Sequence, residues 1–329
     1  ALIDKSDAVG AMLPALNAST SVTGSTGLSF DPTTNQPVTT TILSASGGLT
    51  SSLTLFDGLR NLHRLNRAKL NEISNQYRLD DLKDDIRLMV ANAYLQILSN
   101  KETLKVFKAQ FAVSEQDLKR SKELVDAGVL PNGDLLEIEA TLATLDQQIV
   151  NTENQVLISR INLAQLLQIT DYKNFDVLDA DIEVPPSEVR NKSPEEIFAE
   201  ALSFRNDIKF SQSSIDLAEK DLDIAKGAIY PTLGAFFNYN TRYSDQGGFD
   251  STTGTLVPAE SFANQLWIND GISYGAQLNI PIFNGFAVKN NIKRSKINVE
   301  KAKLQLEQDK LNLETDINQA YVDVTSFAK

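Results

Sequence analysis

The stretch Ala225–Tyr239, "AKGAIYPTLGAFFNY", changes its periodicity at the proline. Before Pro231 the apolar residues recur every three or four positions, as in a helix, and after it they recur at every second position, as in a strand. Proline lacks a backbone N–H donor and disfavours helix in the residue before it. A weaker copy, "AVGAMLPALNASTSV", spans residues 8–22. We therefore predict that Pro231 and Pro14 each end a helix and lead directly into a strand.

The two stretches belong to a tandem duplication. Phe56-Asp57-Gly58 aligns with Phe283-Asn284-Gly285 at an offset of 227 residues, and the match continues without a gap for about 40 residues. Pro14 aligns with Pro231 at an offset of 217, so the intervening segment is ten residues longer in the second copy. Because Asp and Asn are favourable helix N-caps, we predict strand-to-helix junctions at Asp57-Gly58 and Asn284-Gly285.

Four segments of about 10 to 15 residues alternate between apolar and small polar side chains. They cover residues 15–30, 41–55, 232–243 and 271–282. Strict alternation predicts strands with one apolar and one polar face. The length suits a strand that crosses a membrane at a tilt.

Long helices occupy the remainder of the chain. Residues 58–127 contain no proline and keep helical apolar spacing, which predicts a helix roughly 100 Å long. Gly128 and Pro131 suit the end of this helix, and Asp134, with Glu137 three positions later, suits the start of a returning one. After Ser193 a capping box precedes an apolar seam that alternates by four and three residues, the pattern of helices that wrap around each other.

These features predict a mainly helical chain with membrane strands. The predicted segments are the end of a helix (1–13), two strands (14–56), a long helical hairpin with its tip at 128–134 (57–170), a linker (171–193), a helix (194–230), two further strands (231–283) and the start of a second long helix (284–329). Four strands cannot close a barrel, and eight strands give a barrel filled by side chains. We therefore expect three chains to form a twelve-stranded barrel above an α-helical cylinder.

The composition excludes several other classes of function. Asp and Glu total 43 against 31 Lys and Arg, and the resulting net charge of −12 disfavours nucleic-acid binding. The chain has no cysteine, and His63 is its only histidine, so disulfides and multi-histidine metal sites are excluded. No nucleophile–base pair stands out. We predict that the protein is not an enzyme and requires no cofactor or metal.

The duplicated plan and the Phe-Asp/Asn-Gly junctions resemble those of the outer-membrane efflux protein (TolC) family. The stretch "LVDAGVLPNGDLLEIEATL" at residues 124–142 fits the periplasmic tip of that family. The resemblance covers essentially the whole chain. It implies a trimeric exit duct in the bacterial outer membrane, with a periplasmic helical extension, serving a tripartite efflux or type I secretion system. The implied partners are two further copies, a periplasmic adaptor (membrane fusion) protein, an inner-membrane pump and outer-membrane lipid.

Two further expectations come with the resemblance. Compared with the family, the sequence reads as a fragment that lacks most of the first helix and about 65 residues of the second copy. The predicted tip places two apolar residues at an exposed turn, and exposed apolar groups mark interfaces. We expect the adaptor to contact the tip through Gly128, Val129, Leu130, Pro131 and Asp134.

The alternative function is a soluble periplasmic coiled-coil adaptor or structural protein. Such proteins also contain long helical hairpins, but adaptors should carry compact β domains with mixed cores. Four long strands that each present a small polar face favour the duct.

Overall fold

The computed structural model describes residues 2–30, 35–178, 191–250 and 252–327. The elements in chain order are α1 (Leu2–Gly10), β1 (Ala15–Phe30), β2 (Pro37–Phe56), α2 (Arg60–Asp126), α3 (Asn132–Leu166), α4 (Pro194–Phe204), α5 (Asn206–Gly227), β3 (Thr232–Ser244), β4 (Gly248–Asp250), β5 (Thr255–Val257), α6 (Phe262–Ile268), β6 (Gly271–Asn279) and α7 (Ala287–Phe327). Most of the predicted linker, residues 179–190, lies outside the described residues. The chain divides into two compact units, one formed by Ala1–Arg78 with Phe198–Lys329 and the other by Leu79–Ile197.

The first unit contains a four-stranded antiparallel sheet in the order β1-β2-β3-β6. Its register reproduces the duplication, since Ala15 pairs with Ser52 in the first copy and Thr232 pairs with Asn279 in the second. The first members of these pairs are 217 residues apart and the second members are 227 apart, the two offsets found in the sequence. The two copies therefore form equivalent strand pairs, residue by residue.

The helices of the first unit pack through an apolar core between α4–α5 and α7. Its buried members are Ala201, Ile208, Ile215, Leu306 and Leu313. The first three belong to the apolar seam identified in the sequence. Partly buried apolar side chains of the same helices, including Phe198 of α4 and Ile317 of α7, pack against this core.

The sequence predicts one helix over residues 194–230, but the structure has two. Arg205 adopts an extended backbone with ψ of 131° between α4 and α5. Its guanidinium pairs with the Asp207 carboxylate at 2.7 Å, and that carboxylate also accepts the Ile208 N–H at 2.8 Å. Burial alone would raise the pKa of Asp207, but these hydrogen bonds and the Arg205 charge hold the pKa below its usual value. The interruption thus forms a new helix start stabilised by its own acidic side chain.

The capping box before α4 forms as predicted. The Ser193 N–H donates to the Glu196 carboxylate at 2.8 Å, and the Glu196 N–H donates to the Ser193 hydroxyl at 3.3 Å. Two backbone donors that the helix leaves unpaired are thereby satisfied.

In the second unit, the part of α2 from Leu79 onward packs antiparallel to α3. Ile97 on α2 is fully buried, and Leu145 and Leu163 on α3 are also buried. An ion pair between Lys108 of α2 and Glu153 of α3, at 2.7 Å, also connects the two helices. The segment that follows α3 is fastened to this unit, because the Tyr94 hydroxyl donates to the Leu178 carbonyl at 3.0 Å.

Across residues 2–30, 35–178, 191–250 and 252–327, no helix combines the length and apolar character needed to cross a membrane.

Candidate functional site: the sheet, the junctions and the tip

The sheet has one apolar and one polar face. Paired residues of neighbouring strands lie on the same face, and successive residues of a strand alternate between faces. The register therefore places on one face Leu16, Ala18, Val22 and Leu28 of β1, Leu43, Ala45, Leu49 and Leu53 of β2, Leu233, Ala235, Phe237, Tyr239 and Tyr243 of β3, and Ile272, Tyr274, Ala276 and Leu278 of β6. This apolar face is uncovered within one chain, where Leu16 is 72% exposed and Tyr274 is 81% exposed.

The opposite face carries small polar side chains. Its members include Asn17, Ser19, Ser21, Thr23 and Ser25 of β1, Ser44, Ser46, Thr50, Ser52 and Thr54 of β2, Asn238, Asn240, Arg242 and Ser244 of β3, and Ser273, Gln277 and Asn279 of β6. Cross-strand hydrogen bonds occur here, as between the hydroxyls of Ser21 and Ser46 at 2.8 Å. Val38 and Ile42 of β2 and Phe236 of β3 are apolar exceptions on this face. Phe236 pairs with Gly275, where a Cβ would lie only 3.0 Å from the Phe236 ring.

Helix α6, which lies between the predicted strands 232–243 and 271–282, covers the end of β3. β6 begins opposite Asn240, so the last residues of β3 pair with no strand on that side. The Gln265 side chain replaces a strand there, accepting the Ser244 N–H at 3.0 Å and donating to the Ser244 carbonyl at 2.8 Å. Ser261 caps α6 by accepting the Asn264 N–H, and this Ser is the sequence signal that indicates the helix.

The helix-to-strand junctions at Pro14 and Pro231 have the same hydrogen bonds. Leu13 N–H donates to the Gly10 carbonyl at 3.0 Å, and Tyr230 N–H donates to the Gly227 carbonyl at 3.2 Å. Each proline lies between this final turn and the first residue of a strand. The chain therefore passes from helix to strand without a loop at both positions.

The strand-to-helix junctions also match. Gly58 and Leu59 have φ of +72° and +64°, and their equivalents Gly285 and Phe286 have φ of +61° and +66°. The buried Asp57 carboxylate accepts the Asn61 N–H at 3.0 Å, so it caps α2 from two residues upstream of the N-cap position at Leu59.

A close approach of two glycines joins the copies within the chain. A Cβ on Gly58 would lie 2.2 Å from the Gly227 carbonyl oxygen, and a Cβ on Gly227 would lie 2.7 Å from the Gly58 carbonyl oxygen. Periodicity alone does not indicate Gly227, although both repeats carry a glycine four residues before the proline, at Gly10 and Gly227. Beside it, Arg67 pairs with Asp221 at 2.6 Å.

The tip between α2 and α3 is a glycine-ended turn. Gly128 has φ of +76° and donates to the Val125 carbonyl at 2.9 Å, while Val129 donates to the Leu124 carbonyl at 2.9 Å. This is the Schellman arrangement, which satisfies the last carbonyls of α2. Val129 is 68% exposed, as expected.

Two details of the tip differ from the prediction. Leu130 is only partly exposed, and its N–H donates to the Leu124 carbonyl at 3.4 Å. α3 begins at Asn132 after the extended Pro131, two residues before the predicted start, and Asp134 lies in its first turn. Pro131 has no N–H to satisfy and its fixed φ suits the position before a helix, so the Asp134–Glu137 capping box is not needed.

The described residues contain no group of three or more His, Cys, Asp or Glu side chains placed to hold a metal ion. His63, the one histidine, has a buried Nδ1 without a hydrogen-bond partner, and it lies on α2 near the first junction.

An antiparallel sheet with one apolar and one polar face, entered and left through long helices, defines a subunit of an outer-membrane channel. The family model described as outer membrane efflux protein matches residues 8–167 and 197–329. The chain belongs to this family, whose members are transport ducts and not enzymes.

Solved channel structures share the fold. The chain is similar to the outer membrane protein VceC from Vibrio cholerae, with a TM-score of 0.75 and 14% identity over 98% of this chain and 72% of that one. CusC gives a TM-score of 0.74 and 15% identity over 99% and 70% of the two chains. The Campylobacter jejuni outer membrane channel CmeC gives 0.73 and 15% over 97% and 64%. No curated protein sequence matches the chain significantly.

The predicted family is thus confirmed, and the match decides for an outer-membrane efflux duct over a soluble adaptor.

Proposed function

We propose that three copies of this chain form a twelve-stranded outer-membrane barrel, the exit duct of a tripartite efflux or type I secretion system. The observation that carries the proposal is the sheet itself, which has four strands, one mainly apolar face, one mainly polar face, and two open edges at β1 and β6. Residues 14–56 and 231–283 would build the barrel. Residues 57–170, 194–230 and 284–329 would build the periplasmic helical cylinder.

The reasoning rests on the cost of unpaired backbone groups. An open strand edge in hydrocarbon leaves N–H and C=O groups unpaired, at several kcal/mol each. Three copies close the edges and leave a lumen, whereas two copies give eight strands, whose interior is filled by side chains. In the closed barrel the apolar face meets outer-membrane lipid and the small polar face lines a wet lumen. Transport through such a lumen is passive and needs no specific pocket.

We assign the tip to contact with a periplasmic adaptor that connects the duct to an inner-membrane pump. Val129 presents an apolar side chain to solvent beside the turn at Gly128. The turn is closed by the Gly128 and Val129 N–H bonds to the end of α2, and α3 begins directly after Pro131. Burying such a side chain in a partner stabilises the complex by about 1.5–3 kcal/mol, and 1.4 kcal/mol corresponds to about tenfold in affinity.

The tip is tested with Val129→Asp. We expect adaptor capture and efflux to fall about tenfold or more while the amount of trimer is unchanged. The matched control is Val113→Asp, because Val113 is 60% exposed on the side of α2 and belongs to the same unit. Equal behaviour of the two variants would remove the tip from the adaptor interface.

The duct is tested by expression in Gram-negative cells that lack their own outer-membrane exit duct but retain adaptor and pump. Restored resistance to the compounds that the pump exports supports the proposal. Correct insertion in the outer membrane without any restored export would contradict it.

A further inference from the structure

We propose that Arg242 forms an anion-binding site on the polar face of the sheet, and that three copies of this site surround the lumen of the duct. The site takes solutes that carry carboxylate or phosphate groups, because a guanidinium donates paired hydrogen bonds to either group. The inference rests on the proposed trimeric duct, which makes the polar face the wall of a lumen. It goes beyond that proposal by stating which solutes the lumen favours.

Arg242 is the single charged residue in the strands β1, β2, β3 and β6. It lies on the polar face, because it pairs with Ser46, which in turn pairs with Ser21. All 43 acidic residues of the chain lie outside these four strands. The positive charge of Arg242 therefore has no opposite charge within the wall that the strands form.

The position of Arg242 along the strands is inside the sheet and not at its rim. The neighbouring Ser21–Ser46 pair comes six residues after Ala15, where β1 begins, and nine residues before Phe30, where β1 ends. In a symmetric trimer three guanidinium groups would lie at this one height. A ring of like charges inside a pore favours ions of the opposite charge.

The guanidinium of Arg242 is exposed and does not hold the fold together. Within the residues that the structure describes, it has no hydrogen-bond or ion-pair partner. The acidic residue nearest to it in the sequence, Asp245, instead accepts the Leu43 N–H at 2.7 Å. In the segment that follows, Asp250 accepts a hydrogen bond from Thr253, and Glu260 accepts one from Asn264. The charge of Arg242 is thus available to a solute.

A hollow of about 350 Å³ lies on the same face next to Arg242. Its polar lining includes Ser19, Ser21, Ser46, Asn238, Asn240 and Ser273. Gly48, which pairs with Ser19 and Asn240, contributes no side chain to it. Ser46 lies opposite Arg242, and Asn240 lies two residues away on the same strand, so hydroxyl and amide donors surround the place where an anion would meet the guanidinium.

The size of the effect follows from the charge. At 0.1 M salt the screening length is about 10 Å, and three unit charges at that distance change the local concentration of a monovalent ion about twofold. Direct pairing of an exposed guanidinium with a bound anion strengthens binding by up to about fivefold. Arg242 therefore adds a preference for anions to a passive lumen and does not form a tight binding site.

Ion selectivity tests the charge. The full chain is reconstituted in a planar lipid bilayer, and the ratio of chloride to potassium permeability is measured in a KCl gradient. Arg242→Gln should lower this ratio about two- to fourfold, because the anion loses and the cation gains about twofold. Arg242→Lys should keep the ratio. Arg242→Gln combined with Ser46→Arg moves the charge to the opposed position on the same face and should restore it.

Current block tests binding. Citrate or tripolyphosphate is added on the side of the bilayer opposite to the helices, and the potassium current is recorded. Each anion should reduce the current of the natural protein. In Arg242→Gln, half-maximal reduction should need about two- to fivefold more of either anion. A reduction by either anion that depends on Arg242 supports the site and identifies the group that it takes.

Two results would overturn the site and leave the duct standing. One is a trimeric channel whose permeability ratio and anion block are the same in the natural protein and in Arg242→Gln. The other is a loss of selectivity in Arg242→Gln that Ser46→Arg does not reverse, because the loss would then come from an altered fold and not from the charge. A natural protein that forms no channel would overturn the duct itself.

Discussion

The contact between Gly58 and Gly227 allows a quantitative prediction for Gly58→Ala. A residue other than glycine costs about 1–2 kcal/mol in the left-handed region, and Gly58 has φ of +72°. The new Cβ would also lie 2.2 Å from the Gly227 carbonyl oxygen and 3.0 Å from the Tyr230 Cβ. Forcing an extra group into such a site typically costs a further 1–3 kcal/mol. We therefore expect a total loss of about 2–5 kcal/mol.

The control is Gly254→Ala, which has φ of +66° but nothing within 4 Å of the new Cβ. Only the backbone strain of about 1–2 kcal/mol applies there. Unfolding of the detergent-purified protein is followed by far-ultraviolet circular dichroism at one fixed heating rate, because membrane-protein unfolding is commonly irreversible. Gly58→Ala should unfold several degrees below Gly254→Ala. Equal unfolding temperatures would refute the argument that the two repeats depend on this glycine contact.

Three further predictions concern stability. Leu313 is only 3% exposed in the core between α5 and α7, so Leu313→Ala should lower the free energy of unfolding by about 2–5 kcal/mol. Val322→Ala, on the exposed side of α7, should change it by no more than about 0.5 kcal/mol when unfolding is measured in denaturant. Ser193→Ala should cost about 0.5–2 kcal/mol by removing the capping box, and amide exchange in α4 should rise; unchanged exchange would contradict the cap. Burial would raise the pKa of Asp176, but the Val177 N–H, Lys101 and Arg160 together hold the pKa below its usual value. The ionised carboxylate therefore stabilises the fold by less than about 1 kcal/mol above about pH 4. This stabilisation is lost as the pH falls through the lowered pKa. The thermal stabilities of the natural protein and Asp176→Asn should therefore differ at pH 6 and converge near pH 2, and a difference that persists at low pH would exclude this carboxylate as its source.

The periodicity of the sequence predicted the strands, their two faces and the repeated junctions. The alternation of Leu43, Ala45 and Leu49 with small polar residues indicated a two-faced strand, and the pairing of β2 with β1 and β3 places all the apolar sets on one face. The duplication predicted equivalent junctions, and the matched positive φ values of Gly58 and Gly285 follow from it. These features repeat along the sequence, so local rules were enough to find them.

The remaining features depend on single residues or on contacts distant in sequence. The helix breaks at Arg205 although the apolar seam continues through this position in the sequence. The feature associated with the break is the ion pair between Arg205 and Asp207. α6 is stabilised by hydrogen bonds between Gln265 and Ser244, which no periodicity reports. The early start of α3 at Asn132 follows from Pro131, whose suitability before a helix competed with the apparent capping box at Asp134.

Native mass measurement of the protein extracted from outer membranes into detergent tests the central claim most directly. We expect a particle of three chains that contains no other protein, in which these 329 residues contribute 36.2 kDa per chain. Since four strands per chain leave two edges unpaired, a stable membrane-inserted particle of one or two chains would contradict it.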